Sequence, residues 1–507
     1  MRRAWAWFLA AALLVVSGVV VLVTATSDVN RSSAMAGATP VRVLTPQNVG
    51  SGPVVVLAHG FSGSSAMMDP MGSALARAGF PVVMPDLPGH GSNPTPLDDE
   101  ALDAAVTDAA GFAAGIVGGA PVAVVGHSMG AGAVTSWAVD NPTAATVAIS
   151  LPSAEDLPAE AARPANLLLL WGSAESARFV DAALAALRLG YPQGEPGRTY
   201  GDQGAGDARR AAEVAGAEHI SVVYRQQSFD EVATWLSAGV PGSSGRPPSG
   251  DARLVGVLLV LGGGVMATRP LLARSGPQPA GAPVAGASTE VVGGRTRVPR
   301  RLLLLLGGGV VSALGAAALQ GMTDRVPVAV SGYLAGWFAV GSVVLGAGAG
   351  PATSPREGGG PLGRGGSLRG LGWGVLAGGV LALAMALPAR LSWASYDLIG
   401  VRWGVLAVLL VVLGAWFWAE WRVVAGAPGW RRPALLVTSR LIIVAVLLGS
   451  IALLGAPGFL ALTVPLVIPI LLLLALLAGW ARDPVAAGAA QALPLALAIA
   501  TVFPIAG

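Results

Sequence analysis

The sequence predicts two architectures in one chain: a doubly wound α/β domain on a mostly parallel sheet, and an all-α bundle of about nine transmembrane helices. Three observations carry this reading. Between residues 51 and 240, short apolar runs alternate with helical patterns, as parallel strands joined by crossover helices do. From Leu254 onward the chain is a series of long apolar segments with few acids. The stretches between those segments are rich and poor in arginine by turns, as alternate sides of a bilayer require.

Taken in order, Met1-Arg2-Arg3 precedes an apolar run from Ala4 to Val23, long enough to cross a bilayer. Its length favours an uncleaved anchor over residues 1–26 rather than a signal peptide. Residues 27–50 read as a polar linker rich in Ser, Thr and Gly. In the domain at 51–240, strands are expected at 54–58, 81–84, 122–125, 146–150 and 166–171. Helices are expected at 64–78, 98–117, 129–139, 176–189 and 221–238. Only about fifteen residues separate Ile149 from Leu167, so any cap inserted there is minimal.

A Pro/Gly/Ser linker follows at 241–252, and residues 253–507 form a polytopic domain. Its eight apolar segments lie at about 254–268, 302–320, 327–348, 371–388, 403–421, 434–454, 458–480 and 484–505. With a cytoplasmic N-terminus, the inside loops hold Arg269, Arg274, Arg295, Arg297, Arg300 and Arg301, then Arg356, Arg364 and Arg369, then Arg422, Arg431 and Arg432, then Arg482. The outside loops hold only Arg325, Arg390 and Arg402. This alternation puts the α/β domain outside the cytoplasm.

Composition excludes several classes of function. At 53% hydrophobic and 12% charged, the chain is too apolar for an ordinary soluble protein. It has no cysteine, hence no disulfide, thiol nucleophile or thiolate metal site. All 31 basic residues are arginine, none clustered as a nucleic-acid interface would need, so no nucleic-acid partner is expected. No His/Asp/Glu group has metal-ligand spacing, so neither metal nor cofactor is expected. An arginine-only, alanine- and glycine-rich composition suggests a high-GC bacterium, and helical spans suggest its inner (cell) membrane.

The chemistry centres on Gly-His-Ser-Met-Gly at 126–130. An apolar strand enters it and small residues follow it, the strand–turn–helix of a nucleophile elbow that lifts Ser128 out of the sheet. In a chain with 71 glycines the pentapeptide alone is weak evidence, so its partners must carry the argument. A serine hydroxyl needs a base within hydrogen-bond reach. Of four histidines, His127 leaves the elbow on the side opposite Ser128, and His59 and His90 precede the serine. An elbow of this kind runs nucleophile, acid, histidine. Only His219, in Ala-Glu-His-Ile, follows, so it is the expected base. The acid should follow the strand at 166–171, where Leu-Trp-Gly-Ser-Ala-Glu offers Glu175; Asp181 and Asp202 are the alternatives. For the oxyanion, the N–H of Met129 follows the nucleophile, and the loop His59-Gly60-Phe61-Ser62 offers that of Phe61, with Ser62 in reserve.

His-Gly-Phe-Ser-Gly-Ser, Asp86-Leu-Pro-Gly-His-Gly-Ser92, Gly-His-Ser-Met-Gly, the Gly-x-x-Glu turn and Glu218-His219 appear in order over about 190 residues. Together they resemble the α/β-hydrolase superfamily, of the serine esterase and lipase-like kind. The resemblance implies an eight-stranded, mostly parallel sheet and acyl-enzyme chemistry on esters. The chain departs from the pattern in its Glu acid, its minimal cap and its appended membrane region.

Each residue also has a bland reading. Ser128 could be a turn serine, His219 a surface histidine and Glu175 a helix-start acid. Asp86 and His90 are expected to stabilise the loop after their strand. In the bundle, Arg440 is expected near a cytoplasmic helix end, free to snorkel, and Glu420 near another end, with neither at mid-depth. The expected protein is therefore a membrane-embedded serine hydrolase acting on a small-molecule or lipid-like acyl ester, its oligomeric state open. The alternative is a transporter or scaffold with a non-catalytic accessory domain.

Overall fold

Uninterrupted apolar runs form the central strands because helices cover both faces of the sheet, leaving no position along them in water. The computed structural model describes residues 2–49, 52–116, 118–119, 122–238, 250–276, 294–349, 364–425, 427 and 429–506. The chain divides into two compact units. One comprises Ser17–Leu258, Ala386–Gly400 and Thr501–Gly507; the other comprises Met1–Val16, Leu259–Met385 and Val401–Ala500.

Helix α1 (Arg2–Thr26) opens the chain, followed by strands β1 (Asn30–Ala36), β2 (Thr39–Thr45) and β3 (Val54–Ala58). Next come α2 (Ser65–Arg77), β4 (Val82–Pro85), α3 (Asp99–Ile116), β5 (Val122–His127), α4 (Met129–Asp140), β6 (Thr146–Ile149) and β7 (Leu167–Gly172). The domain ends with α5 (Ala177–Gly190), β8 (Thr199–Tyr200), β9 (Arg209–Val214), a 3-10 turn at Ser221–Tyr224 and α6 (Gln226–Ala238). The nine-stranded sheet has the order β1-β2-β4-β3-β5-β6-β7-β9-β8. From β4 to β9 all neighbours are parallel, and antiparallel strands finish both edges.

Side chains alternate between two cores. Val55, Leu57, Val125, Leu168 and Leu170 pack with Met68, Met71 and Leu75 of α2 and Phe229, Val232 and Leu236 of α6. Val54, Val56 and Val124 pack with Val106 and Ala109 of α3 and Val134 and Trp137 of α4. The parallel strand order places β5 at the centre of the sheet, so its carboxyl end is where a site can be approached from several loops.

Three readings of this region change. Residues 30–45, expected as linker, form a β-hairpin that pairs β2 with β4 and extends the sheet. Strands β8 and β9 were not expected either; with the two hairpin strands they bring the five expected strands to nine, against the eight that the resemblance implied. The expected helix at 221–238 is a 3-10 turn followed by α6, broken at Arg225. The linker at 241–252 lies largely outside the described residues.

The helical region continues with α7 (Arg253–Leu272), α8 (Gly294–Ala318), a short α9 (Gln320–Thr323), α10 (Ser331–Gly348) and α11 (Arg364–Ala389). It ends with α12 (Arg402–Val424), α13 (Arg431–Leu454), α14 (Leu460–Trp480) and α15 (Pro484–Val502). Counting α1, nine helices among the described residues are long and apolar enough to cross a membrane. Small residues set the packing distance: the Cβ positions of Gly308 and Gly315 are occupied by Leu345 and Val340 of α10, and that of Gly341 by Trp416 of α12.

Arg440 does not snorkel. It is the tenth residue of 24 in α13, near the middle of the helix, and its side chain is 2% exposed. Its guanidinium donates to both carboxylate oxygens of Glu420 on α12, at 2.7 and 2.9 Å, and to Gln491 Oε1 on α15 at 2.6 Å. A buried charge with a two-point partner has no need to reach water.

Candidate active site

The two glycines of the elbow are required by backbone contact. A Cβ on Gly126 would collide with the Gly130 carbonyl, and one on Gly130 with the carbonyls of Ala58, which ends β3, and of His59 just after it. Glycine at 126 therefore lets the turn close on itself, and glycine at 130 lets it pass close to the end of β3. Between them Ser128 takes φ 51° and ψ −118°, a strained conformation for a non-glycine residue. That geometry aims its hydroxyl off the carboxyl end of β5 at the start of α4. Ser128 N is held by the Ile149 carbonyl at 2.8 Å, which fixes the elbow against β6.

The structure brings Ser128, His219 and Glu175 together. His219 Nε2 lies 3.0 Å from Ser128 Oγ, and His219 Nδ1 lies 2.8 Å from Glu175 Oε1. With Nδ1–H donating to the carboxylate, Nε2 keeps its lone pair for the serine proton. The Glu175 side chain is fully buried and that of His219 is 8% exposed. The acid sits where the Gly-x-x-acid turn puts it: Glu175 N donates to the Gly172 carbonyl at 3.0 Å, and Ala174 N to Ala217 O at 2.9 Å. The alternatives lie elsewhere. Asp181 is exposed on α5, and Asp202 Oδ1 accepts from Gly204 N within its own loop.

Several neighbours that sequence reasoning missed hold this array. Ser150 donates to Glu175 Oε1 at 2.6 Å, the same oxygen that faces His219, and Gly172 N donates to Oε2 at 3.3 Å. His127, inside the elbow, reaches across to the backbone: its Nε2–H donates to the His219 carbonyl at 2.8 Å. Burial, reinforced by the His219 ring, pushes the His127 pKa down to about 3, so it stays neutral and keeps that proton on Nε2. Phe179 stacks on the His219 ring, centroids 4.3 Å apart. The Glu218 carboxylate accepts from Ile220 N and Ser221 N, clasping the start of the 3-10 turn just after the histidine. His127, inside the elbow motif, and Glu218, beside the singled-out histidine, left a sequence signal; Ser150 and Phe179 left none.

For an oxyanion, Met129 N stands at the first position of α4, where no intrahelical acceptor exists. In the facing loop, Ser62 N donates to His90 Nε2 at 3.1 Å. His90 Nδ1 is paired with Pro88 O at 2.8 Å. Asp86 accepts from Ser65 N, Ser92 N and Ser92 Oγ, so Asp86 and His90 act as loop ties, as expected. This loop is strapped from far along the chain. Ile505 N donates to Gly89 O at 2.9 Å, Leu97 N donates to Ile505 O at 3.0 Å, and Leu97 bridges Ala506. Gly89, at φ 74°, has no room for a Cβ beside the Ile505 backbone.

Chemically, the array can activate a hydroxyl, hold the resulting imidazolium against a buried carboxylate, and present amides to a developing negative charge. Among the described residues no group of three or more His, Asp or Glu side chains could hold a metal ion.

Residues 53–189 match the alpha/beta hydrolase fold family. Among solved structures, the chain is similar to a dienelactone hydrolase from Anabaena variabilis, at 14% identity and TM-score 0.32, over 41% of this chain and 97% of that one. It is also similar to an alpha-beta serine hydrolase homologue from Coxiella burnetii, at 14% identity and TM-score 0.32, over 41% and 95%. A third is an a/b serine hydrolase without lid from Xanthomonas campestris, at 15% identity and TM-score 0.31, over 42% and 94%. No curated protein matches the sequence.

Proposed function

From the premise that the N-terminal part of this chain has an α/β-hydrolase fold and the C-terminal part is a region of long apolar helices, we propose a membrane-embedded serine hydrolase that cleaves acyl esters through an acyl-enzyme. As Ser128 Oγ attacks the acyl carbon, its proton passes to His219 Nε2, and Glu175 holds the imidazolium. The oxyanion accepts from the amides of Met129 and Phe61, each donor contributing about 3 kcal/mol to lowering the barrier. The tetrahedral adduct collapses, breaking the ester C–O bond, and His219 returns the proton to the departing alcohol. Water then attacks the acyl-serine by the same route in reverse, releasing the carboxylic acid.

The observation that carries this reading is the unbroken hydrogen-bond chain from Ser128 through His219 to a fully buried Glu175. A surface histidine and a helix-start acid would not be so aligned. A fluorophosphonate probe tests it: wild type should label and Ser128→Ala should not. Correctly folded wild type that resists the probe would sink the proposal. Graded p-nitrophenyl esters would then rank acyl length, with lipid-like chains expected to be preferred.

We place the domain outside the cytoplasm, in a bacterial inner membrane. The arginine alternation supports this, and so does the hydrolase unit's own make-up. It includes 386–400, most of which is the loop with Arg390 that the alternation assigns to the outer side. Tyr224 Oη donates to Ser392 O at 3.1 Å within it. A reporter inserted in the 275–295 loop should read cytoplasmic; an external signal would overturn the orientation.

The buried Arg440–Glu420–Gln491 cluster favours a second reading, in which the bundle itself carries an ion or solute. It predicts that Glu420→Gln changes ion leak through reconstituted vesicles while probe labelling stays intact. Equal leak in both proteins would reduce the cluster to a packing element.

A further inference from the structure

One end of the helical unit contains a cavity of about 350 Å³, lined by Arg269 at the close of α7, Arg432 in the first turn of α13, and Trp480, Ala481 and Arg482 where α14 turns into α15. Three arginines line it and, among the described residues, no Asp or Glu does. Water's share of liquid volume is about 30 Å³ per molecule, so the space suits a polyatomic anion rather than one solvent molecule.

Among the described residues, none of the three arginines has an acid partner. Arg432 Nη2 donates to Ala478 O and Ala481 O at 3.1 and 3.2 Å, and its guanidinium lies 5.0 Å from the Trp421 ring. Its Nε–H is buried with no hydrogen-bond partner among the described residues. Arg269 stacks 4.8 Å from the Trp7 ring. Arg482 is exposed, and its backbone N donates to Ser275 Oγ at 3.1 Å. The nearest acid in sequence, Asp483, is spent elsewhere: its Oδ1 accepts from Val485 N and Ala486 N at the start of α15. Carbonyls and aromatic rings orient a guanidinium but do not cancel its charge. Converging like charges around a common space repel one another unless an anion sits between them.

We propose that this cavity binds a phosphate-bearing anion. Arginine forks match phosphate oxygens two at a time. The cavity also lies where four apolar spans end, at Leu272, Arg431, Trp480 and Pro484, the level of lipid headgroups. Position therefore favours the phosphodiester of an anionic glycerolipid over free phosphate. The site stands independently of the hydrolase chemistry, and either can fail alone.

The test uses the full-length protein in phosphatidylcholine nanodiscs, with and without phosphatidylglycerol, and in phosphatidylcholine alone with inorganic phosphate. Thermal midpoint and retained lipid, counted by native mass spectrometry, are the readouts. Phosphatidylglycerol should raise the midpoint and be retained. Arg432→Gln should weaken retention about tenfold, or 1.4 kcal/mol. Arg431→Gln removes the same charge one residue away, outside the cavity, and should leave retention unchanged. Should Arg432→Gln misfold, the exposed Arg482→Gln makes the same comparison. Stabilisation by inorganic phosphate equal to that by the lipid, and lost in the cavity variants, would support the site with free phosphate as its ligand. No response of wild type to either anion, or equal loss in the Arg431 and cavity variants, would overturn it.

Discussion

Replacing Glu175 by glutamine changes one atom and tests the whole hydrogen-bond chain. Two oxygens of this carboxylate face three donors. Oε1 accepts from His219 Nδ1–H at 2.8 Å and Ser150 Oγ–H at 2.6 Å, and Oε2 accepts from Gly172 N–H at 3.3 Å. A carboxylate satisfies all three; an amide cannot. With its oxygen toward His219 and Ser150, the glutamine NH2 confronts the Gly172 N–H, donor to donor. With the amide flipped, the NH2 donates to Nδ1 and drives the imidazole to its Nε2–H tautomer, so Ser128 loses its acceptor. Either state also removes the negative charge that stabilises the imidazolium. The corresponding acid-to-amide change in a Ser-His-acid triad lowers kcat about 10⁴-fold. Because the first orientation keeps the productive tautomer at the expense of one weak backbone contact, we expect a loss nearer 10²–10⁴-fold here, roughly 3–5 kcal/mol of barrier. Ester turnover by purified Glu175→Gln, beside the exposed Asp181→Asn as control, measures it. Folding should survive, since a buried charge is being removed, and thermal unfolding checks that. A folded Glu175→Gln enzyme with more than about a third of wild-type kcat would refute the assigned role.

Other predictions follow from neighbouring features. Gly130→Ala should destabilise the domain by about 3 kcal/mol or more, because its Cβ meets the carbonyls of Ala58 and His59. Gly115→Ala, on the exposed side of α3 with nothing within 4 Å, should stabilise it by roughly 0.5–1 kcal/mol; thermal midpoints distinguish the two. Burial alone would raise the Asp69 pKa, but the Arg253, Arg31 and Arg42 charges more than offset that and lower it from 3.8 to about 2. A lowered carboxyl pKa stabilises above pH 3.8 and loses that contribution as pH falls toward 2, about 2 kcal/mol in all. Asp69→Asn should erase this acid-dependent part of the midpoint-versus-pH curve; an unchanged slope between pH 4 and 2 would contradict it. His127 has the same sign for a different reason: held neutral by burial, it charges more readily in the unfolded chain, so stability declines as pH falls below 6.5 toward 3. His127→Phe should flatten that limb of the same curve. His90→Phe removes the acceptor for Ser62 N and should lower kcat about tenfold with KM little changed, seen with a short p-nitrophenyl ester.

What could be read from the chain was local or ordered. The elbow glycines, the single histidine after Ser128 and the Gly-x-x-Glu turn are short-range patterns whose roles depend on sequence order, so the side chains that meet at β5 could be named in advance. The long apolar runs likewise located the nine helices, among the described residues, that are long and apolar enough to cross a membrane. What escaped was whatever a distant partner decides. The β1 strand Asn-Arg-Ser-Ser-Ala-Met-Ala is polar and largely exposed, and it is a strand only because β2 pairs with it. β9 begins with two arginines, yet Arg209 is fully buried, its guanidinium donating to the carbonyls of Ala161, Ala186 and Arg163. Hydropathy counts such a residue as solvent-facing because it cannot see those acceptors. Arg440 was misplaced for the same reason: Glu420 and Gln491 are 20 and 51 residues away on other helices.

The strap from Ile505 to Gly89 and Leu97 has a consequence for biogenesis. Ser128, His219 and Glu175 leave the ribosome early, but the peptide that steadies the loop beside them is synthesised only after eight further spans. On the proposed reading, the site would thus be fully steadied only once residues 501–506 have been made. A chain stopped at Val502 should bind the fluorophosphonate more slowly than the intact one. Equal labelling rates would show that the newborn domain matures without waiting.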